Sequence, residues 1–212
     1  MHSSPTNGSR TLILASGSRY RADMLSRLGL DFRTESPDID ETRQRGETPL
    51  ATARRLSLQK AVSIAKQWPQ AVVIGADQVL DINGEHLGKP VTHPAAVAQL
   101  TQLSGQVGVF YSAICVIAPG SRQVCVSQSQ ATFRRLSQPQ IEYYLRREQP
   151  YDTAGSAKAE SLGIALLSRL SSDDPTSIIG LPLIKLTEML ARVRLDPLDP
   201  PDPPDPPDPL NP

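Results

Sequence analysis

The chain has 212 residues with 22 Lys and Arg balanced by 22 Asp and Glu, a length that fits one α/β domain or two closely packed lobes. All the basic residues precede Asp196 whereas five aspartates lie at or after it, so the chain ahead of the tail is basic by five. That excess is compatible with a polyanionic ligand, but aromatics are few and the cations form no stripe, which argues against stable nucleic-acid binding. No stretch is long and apolar enough to span a membrane, and residues 1–10 lack the apolar core of a signal peptide, so a cytoplasmic protein is expected.

The chain opens, after a polar N-terminal extension over residues 1–10 expected to be disordered, with a strand-turn-helix unit over residues 11–28. Leu12-Ile13-Leu14-Ala15 suits a buried strand, Ser16-Gly17-Ser18 a turn, and Ser18 an N-cap for a helix burying Met24, Leu25 and Leu28 and ended by Gly29. Free turn amides, two hydroxyls and Arg21 at a helix N-terminus would favour a phosphate, although many such units bind nothing. An extended piece over residues 31–35 then leads into the acidic loop Asp38-Ile39-Asp40-Glu41, which alone reads as a solvated turn.

Thr48 and Pro49 signal the start of a helix running to about Gln67, with Lys60 inside its apolar stripe of Ala53, Leu56 and Ile64. Such a lysine either snorkels or projects into a cleft. The apolar run over residues 71–80 suits a strand covered on both faces, and Asp77 interrupts it. A carboxylate there must be paired, coordinated or catalytic, because an ionised group is not left dry and alone.

A tight turn over residues 81–85 brings the chain back through Gly88-Lys89-Pro90, with Lys89 a second candidate cleft cation. Thr92 caps a helix ending near Ser104-Gly105. Two long strands, roughly residues 106–118 and 123–134, form a hairpin centred on Gly120 that would set Cys115 opposite Cys125. A disulfide is conceivable there, but two small buried hydrophobes are the ordinary reading in a reducing compartment. No zinc spacing is present.

Ser137-Gln138-Pro139-Gln140 is a capping box opening a helix to about Arg147. The small-residue stretch over residues 151–160 suits a loop packed against a ligand or backbone, Asp173-Asp174-Pro175-Thr176 a turn, and the segment through Leu190 a last amphipathic helix. Residues 196–212 repeat Asp and Pro with a period of three, which matches polyproline II and reads as a disordered, solvated tail. A weaker reading folds that acidic edge back onto the basic cleft.

Together the cradle at Ser16, Ser18 and Arg21, the lysines Lys60 and Lys89, and the carboxylates Glu41 and Asp77 describe a site for a triphosphate and a hard divalent cation, Mg²⁺ or Mn²⁺. Leu14-Ala15-Ser16-Gly17-Ser18 with Arg21, Asp38-Ile39-Asp40-Glu41, Gly75-Ala76-Asp77-Gln78-Val79, Gly88-Lys89-Pro90, Ala154-Gly155-Ser156 and Ile179-Gly180-Leu181-Pro182, in that order, resemble the Maf-type nucleoside-triphosphate pyrophosphatases. The resemblance places the domain at residues 11–195. It implies a two-lobed α/β fold similar to inosine triphosphatase, with a mixed twisted sheet, a central cleft and a commonly homodimeric assembly. It also implies hydrolysis to a nucleoside monophosphate and pyrophosphate, with Asp77 as proton acceptor and Glu41 and Asp77 toward the metal. Ser16, Ser18, Arg21, Lys60 and Lys89 would hold phosphates.

Tyr20, Gln78 and Glu160 resemble the residues of the branch acting on 7-methyl-GTP. N7 methylation makes guanine cationic, which suits an aromatic face and a carboxylate. Arg19, Tyr20 and Ser112-Ala113 depart from the residues usual at their positions, proline, tryptophan and Thr-Gly. The same chemistry on dTTP or UTP, or a non-catalytic role in restraining cell division, are the alternatives.

Overall fold

The computed structural model describes residues 10–199. The N-terminal extension over residues 1–9 and the Asp/Pro repeat over residues 200–212, with the disorder and fold-back expected there, lie outside them. The first residues of the repeat form a turn, with the Asp199 N–H donating to the Asp196 carbonyl at 3.1 Å. None of the described helices is long and apolar enough to cross a membrane.

The described elements are β1 (Leu12–Ala15), α1 (Arg19–Ser26), β2 (Phe32–Glu35), α2 (Pro49–Ala65), β3 (Val72–Ile82), β4 (Glu85–Leu87), α3 (His93–Leu103), β5 (Val107–Ala118), β6 (Ser121–Phe133), α4 (Gln138–Glu148), β7 (Leu167–Ser172) and α5 (Leu183–Ala191). They build one mixed sheet of order β2-β1-β3-β5-β6-β7, with β4 also on β3. Pairing of β1 with β2 and β3 is parallel, and the remaining pairs are antiparallel. The expected α/β class and mixed sheet are therefore present.

Two large hydrophobic cores lie along the sheet. One gathers Leu12, Leu14, Val72, Ile74 and Ala76 under α1 and α5. The other gathers Leu80, Ile82, Phe110 and Phe133 under α3 and α4. Both lie on the same face of β3, since side chains of a strand alternate with a period of two. Gln78 falls between them, and its register partner on β5 is Ser112. The waist of the molecule is thus a polar belt, and buried Ser129 and Ser177 extend it.

The opposite face of β3 is covered by α2, which packs unusually close. A Cβ on Gly75 would lie 2.2 Å from the Ser57 carbonyl oxygen and 2.6 Å from the Ala61 nitrogen. A glycine at 75 is therefore what lets the helix approach, and the approach brings Lys60 of α2 within reach of Asp77. Thr48 caps α2 through its hydroxyl, which accepts from the Ala51 N–H at 3.2 Å, as the Thr48-Pro49 pair predicts.

Several local expectations change. The turn between β5 and β6 has two residues, so Ala118 pairs with Ser121, Cys115 with Val124 and Cys125 with Ile114. One step of register puts the cysteines on opposite faces; both are free, with Cys115 buried. Ser18 occupies the N-cap position of α1 in extended conformation but makes no side-chain capping bond.

The turn over Asp173-Asp174-Pro175-Thr176 forms as expected, but Asp174 within it is fully buried, and its Oδ2 accepts from the Ile184 and Lys185 amides at 2.9 and 3.2 Å. It caps α5 from eight positions before the helix's own N-cap, Pro182, which cannot cap through a side chain. Strand β7, along the sheet edge beyond β6, is an element that the sequence patterning did not anticipate.

Candidate active site

The outer edge of β3 is paired with β1 through Gly75 and with β4 from Leu80 onward. Ala76 to Val79 therefore face a gap in the sheet, while the other edge stays paired with β5 throughout. Strand alternation directs the backbone groups of Gln78 into that gap, as it directs those of Val72 toward Thr11. The cleft opens here, where the parallel part of the sheet ends and the Ser16-Gly17-Ser18 turn begins.

Two adjoining cavities, of about 260 and 670 Å³, make up the cleft and share Ser18, Tyr20, Arg21, Glu41, Lys60, Lys89 and Asp152 on their walls. Ser16 lines the larger; Asp77, Gln78 and Glu160 line the smaller. The ten residues singled out from the sequence thus converge on one place.

Lys60 is the hub. Its Nζ donates to Asp77 Oδ1 at 2.7 Å and lies 2.9 Å from Glu41 Oε1. Lys60 and Asp77 are only 5 and 6 % exposed, so the lysine in the apolar stripe projects inward rather than snorkelling. Burial raises the Asp77 pKa, with Lys60 and Arg21 opposing and Glu41 adding to the rise. For Glu41, burial works upward, but the hydrogen bond and charge of Lys60, helped by Lys89 and Arg21, bring it below the usual carboxylate value.

Arg21 is fixed by its Nε donating to the Gly180 carbonyl at 3.1 Å and by a bond to Ser16 Oγ at 3.3 Å. Burial lowers its pKa, partly offset by Asp77 and Glu41; a guanidinium nevertheless stays charged. The cradle is less open than the sequence suggests, because the Ser18 N–H already donates to Ser16 Oγ at 3.2 Å. Lys89 is exposed and makes no hydrogen bond or ion pair among the described residues, which leaves its ammonium free for an anion.

On the other side, Gln78 Nε2 donates to Ser112 Oγ and the Ser177 carbonyl at 2.9 Å and to the Ile178 carbonyl at 3.1 Å. Carbonyls only accept, so the amide orientation is fixed and Oε1 is left to accept from a ligand. Glu160 is exposed and unpaired among the described residues. Tyr20 donates to Asp152 Oδ1 at 3.3 Å.

Asp152, His86 and the serine belt are wall or support residues that sequence reasoning missed. The Tyr20–Asp152 contact spans 132 residues of chain, and no local pattern encodes it. His86 carries a pKa lowered by burial and by Arg43, with Asp77, Glu47 and Asp81 opposing.

The donor set fits a hard divalent cation. Asp77 and Glu41 present carboxylate oxygens around one ammonium, and oxygen-only sites with one or two carboxylates completed by substrate phosphates are the pattern for Mg²⁺. Among the described residues no group of three or more His, Cys, Asp and Glu converges on a metal position, so phosphate oxygens would have to complete the shell.

Fold and cleft define an α/β protein whose central cleft is lined by Arg21, Lys60 and Lys89 around Asp77. The solved structure of the Staphylococcus aureus Ham1 protein shares that fold, with a TM-score of 0.50 over 87% of this chain and 100% of that chain at 16% identity. A family model described as Maf-like protein matches residues 11–193, and the chain belongs to the Maf-like family. It is 52% identical over 187 residues to a 7-methyl-GTP pyrophosphatase of Polaromonas sp., covering 87% of this chain and 85% of that one. It is 54% identical to that of Bordetella pertussis, covering 88% and 94%, and 52% identical to that of Bordetella avium, covering 93% and 98%.

Proposed function

We propose that this protein is a nucleoside-triphosphate pyrophosphatase acting on 7-methyl-GTP or a related modified nucleotide, releasing the monophosphate and pyrophosphate. The observation that carries the reading is the division of one cleft into a cationic side, Arg21, Lys60 and Lys89 around Asp77, and a side with a free carboxylate and a fixed amide acceptor. The names of relatives above half identity along most of the chain support it.

Asp77, ionised, takes a proton from water held beside the α–β anhydride. The new P–O bond forms as the bridging bond breaks, and the charge that grows on pyrophosphate meets Arg21 and Lys89. Lys60 keeps Asp77 ionised in a buried place and aligns its carboxylate. Ser16 and Ser18 offer hydroxyls to phosphate oxygens. Glu41 and Asp77 would hold a divalent cation, Mg²⁺ or Mn²⁺, which supplies Lewis-acid polarisation of the phosphates.

A positively charged 7-methylguanine matches Glu160 as a charged acceptor for base N–H groups, Gln78 Oε1 as a second acceptor and the Tyr20 ring as a cation–π partner. The domain is assigned to residues 11–195, in the cytoplasm, as a homodimer; solution mass measurement tests the last. Pyrophosphate release across a nucleotide panel, with and without a chelator, tests the whole. Turnover favouring 7-methyl-GTP and lost on chelation supports it, whereas preference for dTTP or UTP assigns the pyrimidine chemistry instead. A cellular phenotype that survives Asp77→Asn despite abolished turnover would favour the regulatory role.

A further inference from the structure

The base side of the cleft holds positive charge of its own. The Arg19 guanidinium carbon lies 4.9 Å from the Tyr20 ring centroid, and Lys158 Nζ lies 5.6 Å from it. A cationic base seated on Tyr20 is repelled by both, whereas a neutral base is not. Selection of a charged base therefore calls for more than one carboxylate. Of those on the wall of the smaller cavity, Glu41 and Asp77 are engaged by Lys60, which leaves Glu160 and Asp152.

Asp152 is placed for that part. It lines both cavities, and its Oδ1 accepts from the Tyr20 hydroxyl at 3.3 Å. The loop that carries it is pinned from α3 and the segment before it: the Tyr151 hydroxyl lies 2.9 Å from His93 Nδ1, and the Val91 N–H donates to the Tyr151 carbonyl at 3.1 Å. The carboxylate is thus held at the hydroxyl edge of the ring on which the base would stack, with its side chain half exposed. Arg19 Nη2 also approaches Asp152 Oδ2, at 4.0 Å. Whatever a base must do to that contact, or to Arg19 on the ring, it does whether charged or neutral, so those costs drop out of the comparison. Attraction to the Asp152 carboxylate does not drop out, because only the charged base feels it in full.

We infer that Asp152 is a specificity-determining residue, a second carboxylate that the Tyr20 hydroxyl holds beside the base and that favours a positively charged base over unmodified guanine. The inference rests on the base-side reading of the proposed function and adds a residue to it. A base stacked on Tyr20 lies roughly 7 Å from this carboxylate, where attraction between unit charges is worth about three-fold in water and more at the lower dielectric of a cleft.

The test compares kcat/KM for 7-methyl-GTP and GTP, with the full chain, in the wild type, Asp152→Asn, Asp152→Glu and Tyr20→Phe. Asp152→Asn keeps an acceptor for the Tyr20 hydroxyl and removes the charge; it is expected to lower the ratio of the two about five-fold, through a higher KM for 7-methyl-GTP alone. Asp152→Glu, which keeps the charge, is expected to retain most of the wild-type ratio. Tyr20→Phe, which keeps the ring and releases the carboxylate, is expected to lower the ratio about two-fold by itself and not at all when combined with Asp152→Asn. Asp152 is exposed, so folding is not at stake. A ratio unchanged in Asp152→Asn, a uniform fall for both nucleotides, or an equal effect of Tyr20→Phe with and without Asp152→Asn overturns the inference alone. A wild type with no preference for 7-methyl-GTP over GTP overturns the base-side reading, and the inference with it.

Discussion

The two sides of the cleft are built differently. On the phosphate side the central pair sits on regular elements and is buried, Asp77 on the central strand and Lys60 on the helix that Gly75 admits, flanked by half-buried Arg21 in the first turn of α1 and by exposed Lys89 in the loop after β4. On the base side Tyr20, Asp152 and Glu160 are half-buried or exposed, and two of them sit in the loop that follows α4. On the proposed function, the chemistry common to all nucleoside triphosphates rests mainly on the scaffold, and selection among bases rests on loop residues, where a substitution costs the fold little.

The sharpest way to break that contrast is Asp77→Asn. It retains shape and leaves Lys60 paired with Glu41, and it should lower kcat by about 10²–10⁴-fold with little change in thermal unfolding. Steady-state pyrophosphate release and a melting curve measure both, and a variant retaining most of its turnover would remove Asp77 from the chemistry.

Lys60→Met should instead damage stability, because it strands a buried carboxylate. The expected cost is about 3 kcal/mol in chemical denaturation, against about 0.5 kcal/mol or less for Asp152→Ala on the exposed side. Equal costs would contradict the difference in construction.

Glu160→Gln should reduce kcat/KM for 7-methyl-GTP about ten-fold more than for GTP, the worth of one charge-assisted contact. A parallel loss on both nucleotides would mean that Glu160 does not read the charge of the base.

The smallest effect concerns the loop that carries Glu41. Arg55 of α2 clamps Glu47 with two bonds of 2.7 and 2.8 Å and also donates to the Thr42 carbonyl at 3.1 Å. Arg55 holds the Glu47 pKa down to about 2. Its folded value lies below the unfolded one, so its stabilisation is present above the ordinary 4.5 and is lost as pH falls toward 2. Glu47→Gln should therefore flatten the acid end of the stability profile over that window, as followed by circular dichroism; an unaltered profile would contradict the clamp.

The same division governs what could be read from the sequence. Thr48-Pro49, the Ser137 to Gln140 box and the apolar run around Asp77 are local signals, and each lies on the element it announces. Lys60 was ambiguous by periodicity alone, because only the close approach at Gly75 decides that it points inward. Features made by distant partners were illegible. Asp174 lies in the turn its neighbours announce, but that it also caps α5 shows only once the amides of that helix are in place. The two cysteines look paired until a two-residue turn shifts the register by one. Tyr20 looks like a free aromatic until Arg19, Asp152 and Lys158 surround it.

On the proposed function, one cleft holds a triphosphate between its cations and the buried Asp77–Lys60 pair and selects a cationic base at its exposed end. The most direct measurement is kcat/KM for pyrophosphate release from 7-methyl-GTP, GTP, UTP and dTTP under one set of conditions. 7-methyl-GTP should lead and GTP trail it through a higher KM; equal values for the two guanine nucleotides, or a lead for UTP or dTTP, would contradict the proposed function.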